Sequence, residues 1–238
     1  MFCYHSAVTG KGGMTAMVAT VSTAVLKAVP LFSSFPEDQL RMLASVVTRK
    51  SVSRSTTVMA GGDPTDSLYI VLSGRLKVMM SDAEGKEVIL SILGPGEFFG
   101  EMGLIDDAPR SASVVAIEPC ELLSITKRDF KKCLSDNFEM TMAVMRGLVR
   151  RLRDADRKIG SLALLDVYGR VARLLLDMAE TIEGEKIVTK RLPKQDIAKM
   201  IGASREMVSR VMKDLQMGGY IEMRGSNIVL RDSIVLPE

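Results

Sequence analysis

The spacing of apolar residues changes period along the chain. From about Leu26 to Arg49 the apolar positions Leu40, Met42, Leu43, Val46 and Val47 recur at helical intervals. Pro30 breaks that pattern, and Pro36-Glu37-Asp38 restarts it, since a proline followed by acids suits a helix's first turn. From Lys50 to Thr126 the pattern shortens. Strands are predicted over Thr56–Met59, Ser67–Leu72, Arg75–Met80, Lys86–Ile92, Ser111–Ile117 and Glu121–Ile125. Turn signals such as Gly61-Gly62-Asp63-Pro64, Ser73-Gly74 and Gly94-Pro95-Gly96 separate them at intervals of roughly ten residues, the mark of a β-sandwich or roll.

From Phe138 to Leu162 there is no proline, and Gly147 and Gly160 are the only glycines. Positions 138, 141, 145, 148, 152, 155, 159 and 162 alternate steps of three and four and hold Phe, Thr, Met, Leu, Leu, Ala, Ile and Leu. This heptad seam predicts a long helix in a parallel dimeric coiled coil; the alternative is a helix packed on its own β-domain. Beyond it, helices are predicted over Val167–Thr181, Pro193–Met200 and Ser204–Met217. Two short strands follow over Tyr220–Leu230, around Arg224-Gly225-Ser226-Asn227, as a β-wing. The predicted organisation is an α+β chain: a flexible tail over 1–24, a β-roll over 25–135, a long helix and hinge over 136–165, and a helical, winged domain over 166–238.

With 238 residues, 47% of them hydrophobic, the chain can bury a real core. The net charge of +3, from 32 basic and 29 acidic residues, excludes a histone-like polycation. The distribution matters more than the sum: Lys186–Arg231 holds ten basic against four acidic residues, a net +6, which leaves the remainder net acidic. Cys3, Cys120 and Cys133 are too scattered for a disulfide framework or a metal site, and His5 is the one histidine, so a histidine-based catalytic or zinc centre is excluded. The uncharged run Gly12–Leu26 is too short and too polar to span a bilayer and makes a poor signal peptide, so the expectation is a cytoplasmic protein. Met14 and Met17 are alternative starts, with the first residues an extension or tail.

Pro193–Arg210 has helix-turn-helix grammar. Ala198 is small where two helices cross, Gly202 allows the turn, Ser204 caps the second helix, and Ile197, Ile201, Val208 and Val211 form a shared core. The second helix then presents Arg205, Glu206 and, one turn on, Arg210. Arginine grips guanine O6 and N7 bidentately, and glutamate accepts from cytosine N4, so this set is suited to base reading in the major groove.

The segment Ile201-Gly-Ala-Ser-Arg-Glu-Met-Val-Ser-Arg210 resembles the recognition helix of the catabolite activator (CRP/FNR) family of bacterial transcription regulators. Leu164-Leu-Asp-Val-Tyr-Gly-Arg170 resembles that family's hinge and first DNA-domain helix, and the resemblance covers about 26–235. It implies a cyclic-nucleotide-binding jelly roll, a dimerisation helix and a winged helix-turn-helix acting as a homodimer on double-stranded DNA with RNA polymerase as a partner. By the same resemblance Arg205, Glu206 and Arg210 read a TGTGA-like half-site, with Ser209 beside them. Lys194, Gln195 and Ser204 contact phosphates, and Pro193 replaces a threonine common at that position. The segment Glu180–Thr189 is shorter than the family's polymerase-contacting loop.

Phe99-Gly-Glu-Met-Gly-Leu-Ile-Asp-Asp-Ala-Pro-Arg-Ser-Ala-Ser113 resembles the phosphate-binding cassette of cyclic-nucleotide-binding domains. The implied ligand residues are Gly100, Glu101, Met102, Gly103, Arg110 and Ser111. Arg110 neutralises the phosphate, Ser111 adds a hydroxyl, Glu101 accepts from a ribose 2′-hydroxyl, and the two glycines let backbone amides approach. The alternative is a loop that merely closes the roll. The base-recognition pair of the cAMP-responsive type, Thr-Ser, corresponds here to Ala155 and Asp156. Asp156 suits guanine amines, and the spacings Arg151/Asp154 and Arg153/Asp156 suit either guanine reading, as in some cyclic di-GMP binders, or plain helical ion pairs. The effector therefore stays open between cAMP, cyclic di-GMP and another ligand or none.

An iron–sulfur sensor needs an N-terminal cysteine cluster and a haem sensor needs axial ligands; this chain offers neither. No nucleophile–base pair, metal-ligand set or nucleotide-triphosphate loop points to an enzyme. A cyclic-nucleotide-binding module attached to an enzyme or channel is the remaining rival, and the winged segment argues for DNA instead.

Overall fold

The computed structural model describes residues 14–17, 21–189 and 192–231. Cys3 and His5 lie outside the described residues. The chain divides into two compact units, 1–148 and 149–238, with the boundary inside the long helix.

In the first unit, helix α1 (Thr23–Lys27) is capped by the Ser22 hydroxyl. A 3-10 turn (Pro30–Phe32) and α2 (Glu37–Val46) follow, the latter starting after Pro36 as its acidic first turn predicts. Nine strands form two antiparallel sheets. One runs in the order β1 (Met14–Met17), β2 (Thr48–Val52), β9 (Cys120–Thr126), β4 (Ser67–Ser73), β7 (Phe98–Phe99); the other runs β3 (Thr57–Met59), β8 (Ser113–Ala116), β5 (Leu76–Ser81), β6 (Glu87–Leu93). Met14–Met17 pairs with β2, so the tail expected over 1–24 contains a strand, and its end contains the start of α1.

The alternation of β4 explains the two cores. Tyr69 and Val71 join Leu76, Leu93, Phe99, Val114 and Leu122 between the sheets. Leu68 and Ile70 point the other way, with Leu123 and Ile125 of β9, into a second cluster built with Leu26, Phe32, Leu40, Phe130, Met140 and Val144. Covered on both faces, β4 reads as a continuous apolar run rather than an alternating one. Helix α3 (Met102–Ile105) leads into the loop before β8. Helix α4 (Lys127–Asp136) is capped by the Thr126 hydroxyl, which accepts from the Asp129 amide.

Helix α5 (Phe138–Leu164) packs its first turns on its own roll. Met140 and Val144 are buried in the roll's second core, and the Phe98 ring lies where a side chain at Gly147 would stand. Phe138, Met145, Leu152, Ile159 and Leu162 remain exposed, Leu152 at 62% and Ile159 at 64%.

In the second unit, the Asp166 carboxylate caps α6 (Val167–Met178). A four-stranded sheet runs in the order β10 (Glu180–Ile182), β11 (Glu185–Val188), β13 (Asn227–Leu230), β12 (Ile221–Arg224). The wing is thus twice the expected hairpin: residues 180–188 form a second one, which ends α6 at Met178 instead of Thr181. Helices α7 (Lys194–Ile201) and α8 (Arg205–Met217) meet through Ile197, Ala198, Ile201, Val208 and Val211, all buried. Gly202 caps α7 in the left-handed region at φ +63°, where a non-glycine residue is strained.

Candidate ligand and DNA sites

The candidate DNA-reading surface is built on α8. Ser204 accepts from the Met207 amide at 3.1 Å and so fixes the first turn. Arg205, Glu206 and Arg210 are exposed, while Val208, Val211, Met212 and Leu215 hold the opposite face in the core. This burial aims the three polar side chains outward as one group. The backbone amide of Glu206, followed by the Ser204 hydroxyl, holds the Glu206 carboxyl below the usual carboxylate range, so it is an ionised acceptor. Ser209 and Lys194 are half-buried, and Gln195 is exposed beside the start of α7.

The wing corrects one expectation. Arg224 donates to Glu185 at 2.6 and 3.2 Å and to Glu222 at 2.9 and 3.3 Å. Arg231 bonds the same two glutamates. These two arginines are neutralised within the sheet, so β12 and β13 add little to the net +6 counted over Lys186–Arg231. The signal missed was Glu185, one residue outside the basic segment. The basic excess is carried instead by α7, α8 and the residues between β11 and α7.

The cassette lies in the first unit. Arg110 is 6% exposed and Glu101 is 1% exposed, unusual burial for ionisable side chains. Arg110 donates to the Gly100 carbonyl at 2.9 Å, the Ser67 carbonyl at 2.8 Å and Asp66 Oδ1 at 3.2 Å. Three of its five N–H groups are thus used to orient the guanidinium. Gly100 has φ +85°, and a Cβ there would stand 2.5 Å from Arg110 Nη1. A Cβ on Gly103 would meet the Ala108 carbonyl at 2.3 Å and Thr65 Oγ1 at 2.4 Å. The absence of side chains at these glycines thus leaves room for Arg110, Met59, Thr65 and the Ala108 carbonyl. Ser111 is exposed, its hydroxyl 3.7 Å from the Met102 sulfur, and Met102 is itself half exposed.

Ala155 and Asp156 belong to the second unit and are exposed on α5. Asp154 pairs with Arg157, three residues on along the same helix. Among the described residues no group of His, Cys, Asp and Glu could hold a metal ion, and no helix is long and apolar enough to cross a membrane. Burial raises the thiols of Cys120 and Cys133 above their ordinary value, as suits packing residues.

Residues 49–137 match the cyclic nucleotide-binding domain, and residues 169–236 match the Crp-like helix-turn-helix domain. The chain belongs to the CRP/FNR family of transcription regulators. It is 32% identical over 88% of its length to a CRP-like cAMP-activated global transcriptional regulator of Mycobacterium tuberculosis, covering 95% of that protein. It is 38% identical over 76% of its length to the cAMP-activated global transcriptional regulator CRP of Haemophilus influenzae, covering 82% of that protein. Among solved structures, the c-di-GMP responsive global regulator CLP of Xanthomonas campestris superposes with a TM-score of 0.71 at 30% identity, over 83% of this chain and all of that one. These CRP/FNR relatives are transcription regulators rather than enzymes, and the roll, long helix and helix-turn-helix of this chain are the family's architecture.

Proposed function

We propose that this CRP/FNR protein is a ligand-controlled, dimeric, sequence-specific DNA-binding regulator whose effector is a cyclic nucleotide. The observation that carries the ligand half is the buried Arg110, oriented by three acceptors beside the buried Glu101. A buried arginine with donors left over is a preorganised partner for an anionic phosphate. Gly100, Met102, Gly103 and Ser111 shape the same cassette. Arg205, Glu206 and Arg210 read a TGTGA-like half-site, while Lys194, Gln195, Ser204 and Ser209 contact the backbone or adjacent edges. The exposed seam of α5 pairs with a second copy, and two recognition helices then match major grooves about 34 Å apart. The protein acts in the cytoplasm with RNA polymerase.

Two effectors have specific support. The relatives in M. tuberculosis and H. influenzae are named as cAMP-activated, which favours cAMP. Ala155 offers no hydroxyl to adenine, Asp156 suits a guanine edge, and the CLP structure is described as c-di-GMP responsive, which favours cyclic di-GMP. Calorimetric titration with cAMP, cGMP and cyclic di-GMP on one preparation separates them. Heat with one nucleotide and tighter or weaker DNA binding in its presence is the expected result. Flat titrations for all three would replace this reading with a regulator gated in another way.

A further inference from the structure

The cassette loop is tied to α4 by charge. After α3 ends at Ile105, the chain turns through Asp106-Asp107-Ala108-Pro109 before Arg110. Asp107 is left-handed at φ +59°, a conformation aspartate tolerates better than most residues but does not prefer. Its carboxylate reaches Lys127 Nζ at 2.6 Å and Lys131 Nζ at 3.0 Å, two lysines one turn apart on α4. The loop is also held by further hydrogen bonds: the Ala108 amide donates to Asp106 Oδ1 at 3.1 Å, Thr65 Oγ1 donates to the Ala108 carbonyl at 2.9 Å, and the Arg110 amide donates to the Asp63 carbonyl at 2.9 Å.

The connection closes on Arg110. The Lys127 amide donates to the Asp66 carbonyl at 2.8 Å, and the Asp66 carboxylate accepts from Arg110 at 3.2 Å. Arg110 is thus referenced to the first turn of α4 by two routes, through Asp66 and through the loop that Asp107 pins. We propose that Asp107 is a positioning residue for the ligand: with Lys127 and Lys131 it holds the loop so that Arg110 and Ser111 meet the ligand phosphate without reorganisation. This rests on the reading of the cassette as a phosphate site. Preorganisation of this kind appears as affinity, because the unbound loop no longer loses freedom on binding.

The test uses the full chain. Asp107→Asn keeps an acceptor and tolerance of the left-handed backbone but removes the charge, whereas Asp107→Gly also relieves the backbone. Against whichever of cAMP and cyclic di-GMP the wild type binds, both variants should lose about threefold to tenfold in affinity, the scale of two exposed ion pairs. Lys131→Met added to Asp107→Asn should cost no more than Asp107→Asn alone, and the gap to wild type should narrow in high salt. A residue that served only the turn would leave both variants at wild-type affinity, and that result overturns the proposal. Amide exchange of residues 105–108 in the ligand-free protein supplies a readout that needs no ligand. It should quicken in Asp107→Asn while β4 and β9 stay unchanged. If the wild type binds neither nucleotide, the ligand reading fails by itself. Faster loop exchange then still supports the pinning, and unchanged exchange overturns it.

Discussion

Arg110 Nη1 donates to the carbonyl of Gly100 at 2.9 Å from the space a side chain at residue 100 would occupy. The two residues are therefore one unit. Gly100→Ala would set a Cβ 2.5 Å from the guanidinium and 2.9 Å from Met59 Cε, on a backbone at φ +85°. The strain of a non-glycine residue there is about 1–3 kcal/mol. Gly100→Ala should lower the thermal midpoint and, by displacing Arg110, abolish nucleotide binding. Thermal unfolding and calorimetry on one sample check both, and wild-type binding with a displaced midpoint would separate the two roles.

Arg205 is exposed at the start of α8 and contributes nothing to the core. Arg205→Ala should leave the unfolding midpoint in place, cost about 1–3 kcal/mol at the preferred site and relax the choice of one base. Selection of bound sequences from a random pool, with wild type and variant side by side, measures that change. An unaltered preferred sequence would remove Arg205 from the base-reading set.

The helix-turn-helix was legible almost to the residue because its signals are local: a small residue at the crossing, a left-handed turn, a serine cap and four apolar positions. The strands of the roll were legible where alternation is clean. β2 was missed because Thr48–Val52 is mostly polar, and α4 was missed because Phe130 is its only fully buried residue. Both are held by partners distant in sequence, β2 by β9 and β1, α4 by β4. In the cassette, residue types singled out Arg110 and Glu101, while three-dimensional packing alone revealed that both are buried and what the glycines leave room for. The wing's neutrality was hidden for a similar reason, since Glu185 reaches Arg224 across 39 residues of chain.

The exposed seam predicts the assembly state. Leu152 and Ile159 are large, apolar and more than 60% exposed, each on the same stripe of α5. Burying a leucine or isoleucine contributes about 1.5–3 kcal/mol, and a charge in its place opposes a dimer seam directly. Leu152→Glu should shift the protein to a monomer in sedimentation velocity and weaken binding to a two-half-site duplex. The folded signal in circular dichroism should persist, because Leu152 packs in neither unit's core. A Leu152→Glu protein that still sediments as the wild type does would place the dimer contact elsewhere.

The capping serine links stability, pH and base reading. The Glu206 backbone amide, and after it the Ser204 hydroxyl that also accepts from the Met207 amide, hold the Glu206 carboxyl below its ordinary pKa. A carboxyl with a lowered folded pKa adds stability that is fully present above its unfolded value and is lost as pH falls through the folded one. The window therefore lies below the ordinary carboxylate range, and Glu206 stays an ionised acceptor at neutrality. If Glu206 reads a base as proposed, the preference at that position should be constant from about pH 8 to about pH 6, since no carboxylate of this kind titrates there. Ser204→Ala should cost about 1 kcal/mol through the lost cap and let the Glu206 carboxyl rise toward its ordinary value. A pH titration of unfolding should show the variant losing less stability than the wild type on acidification, because less is stored in Glu206 to lose. Parallel acid profiles for the two proteins would show that Ser204 acts on the backbone alone.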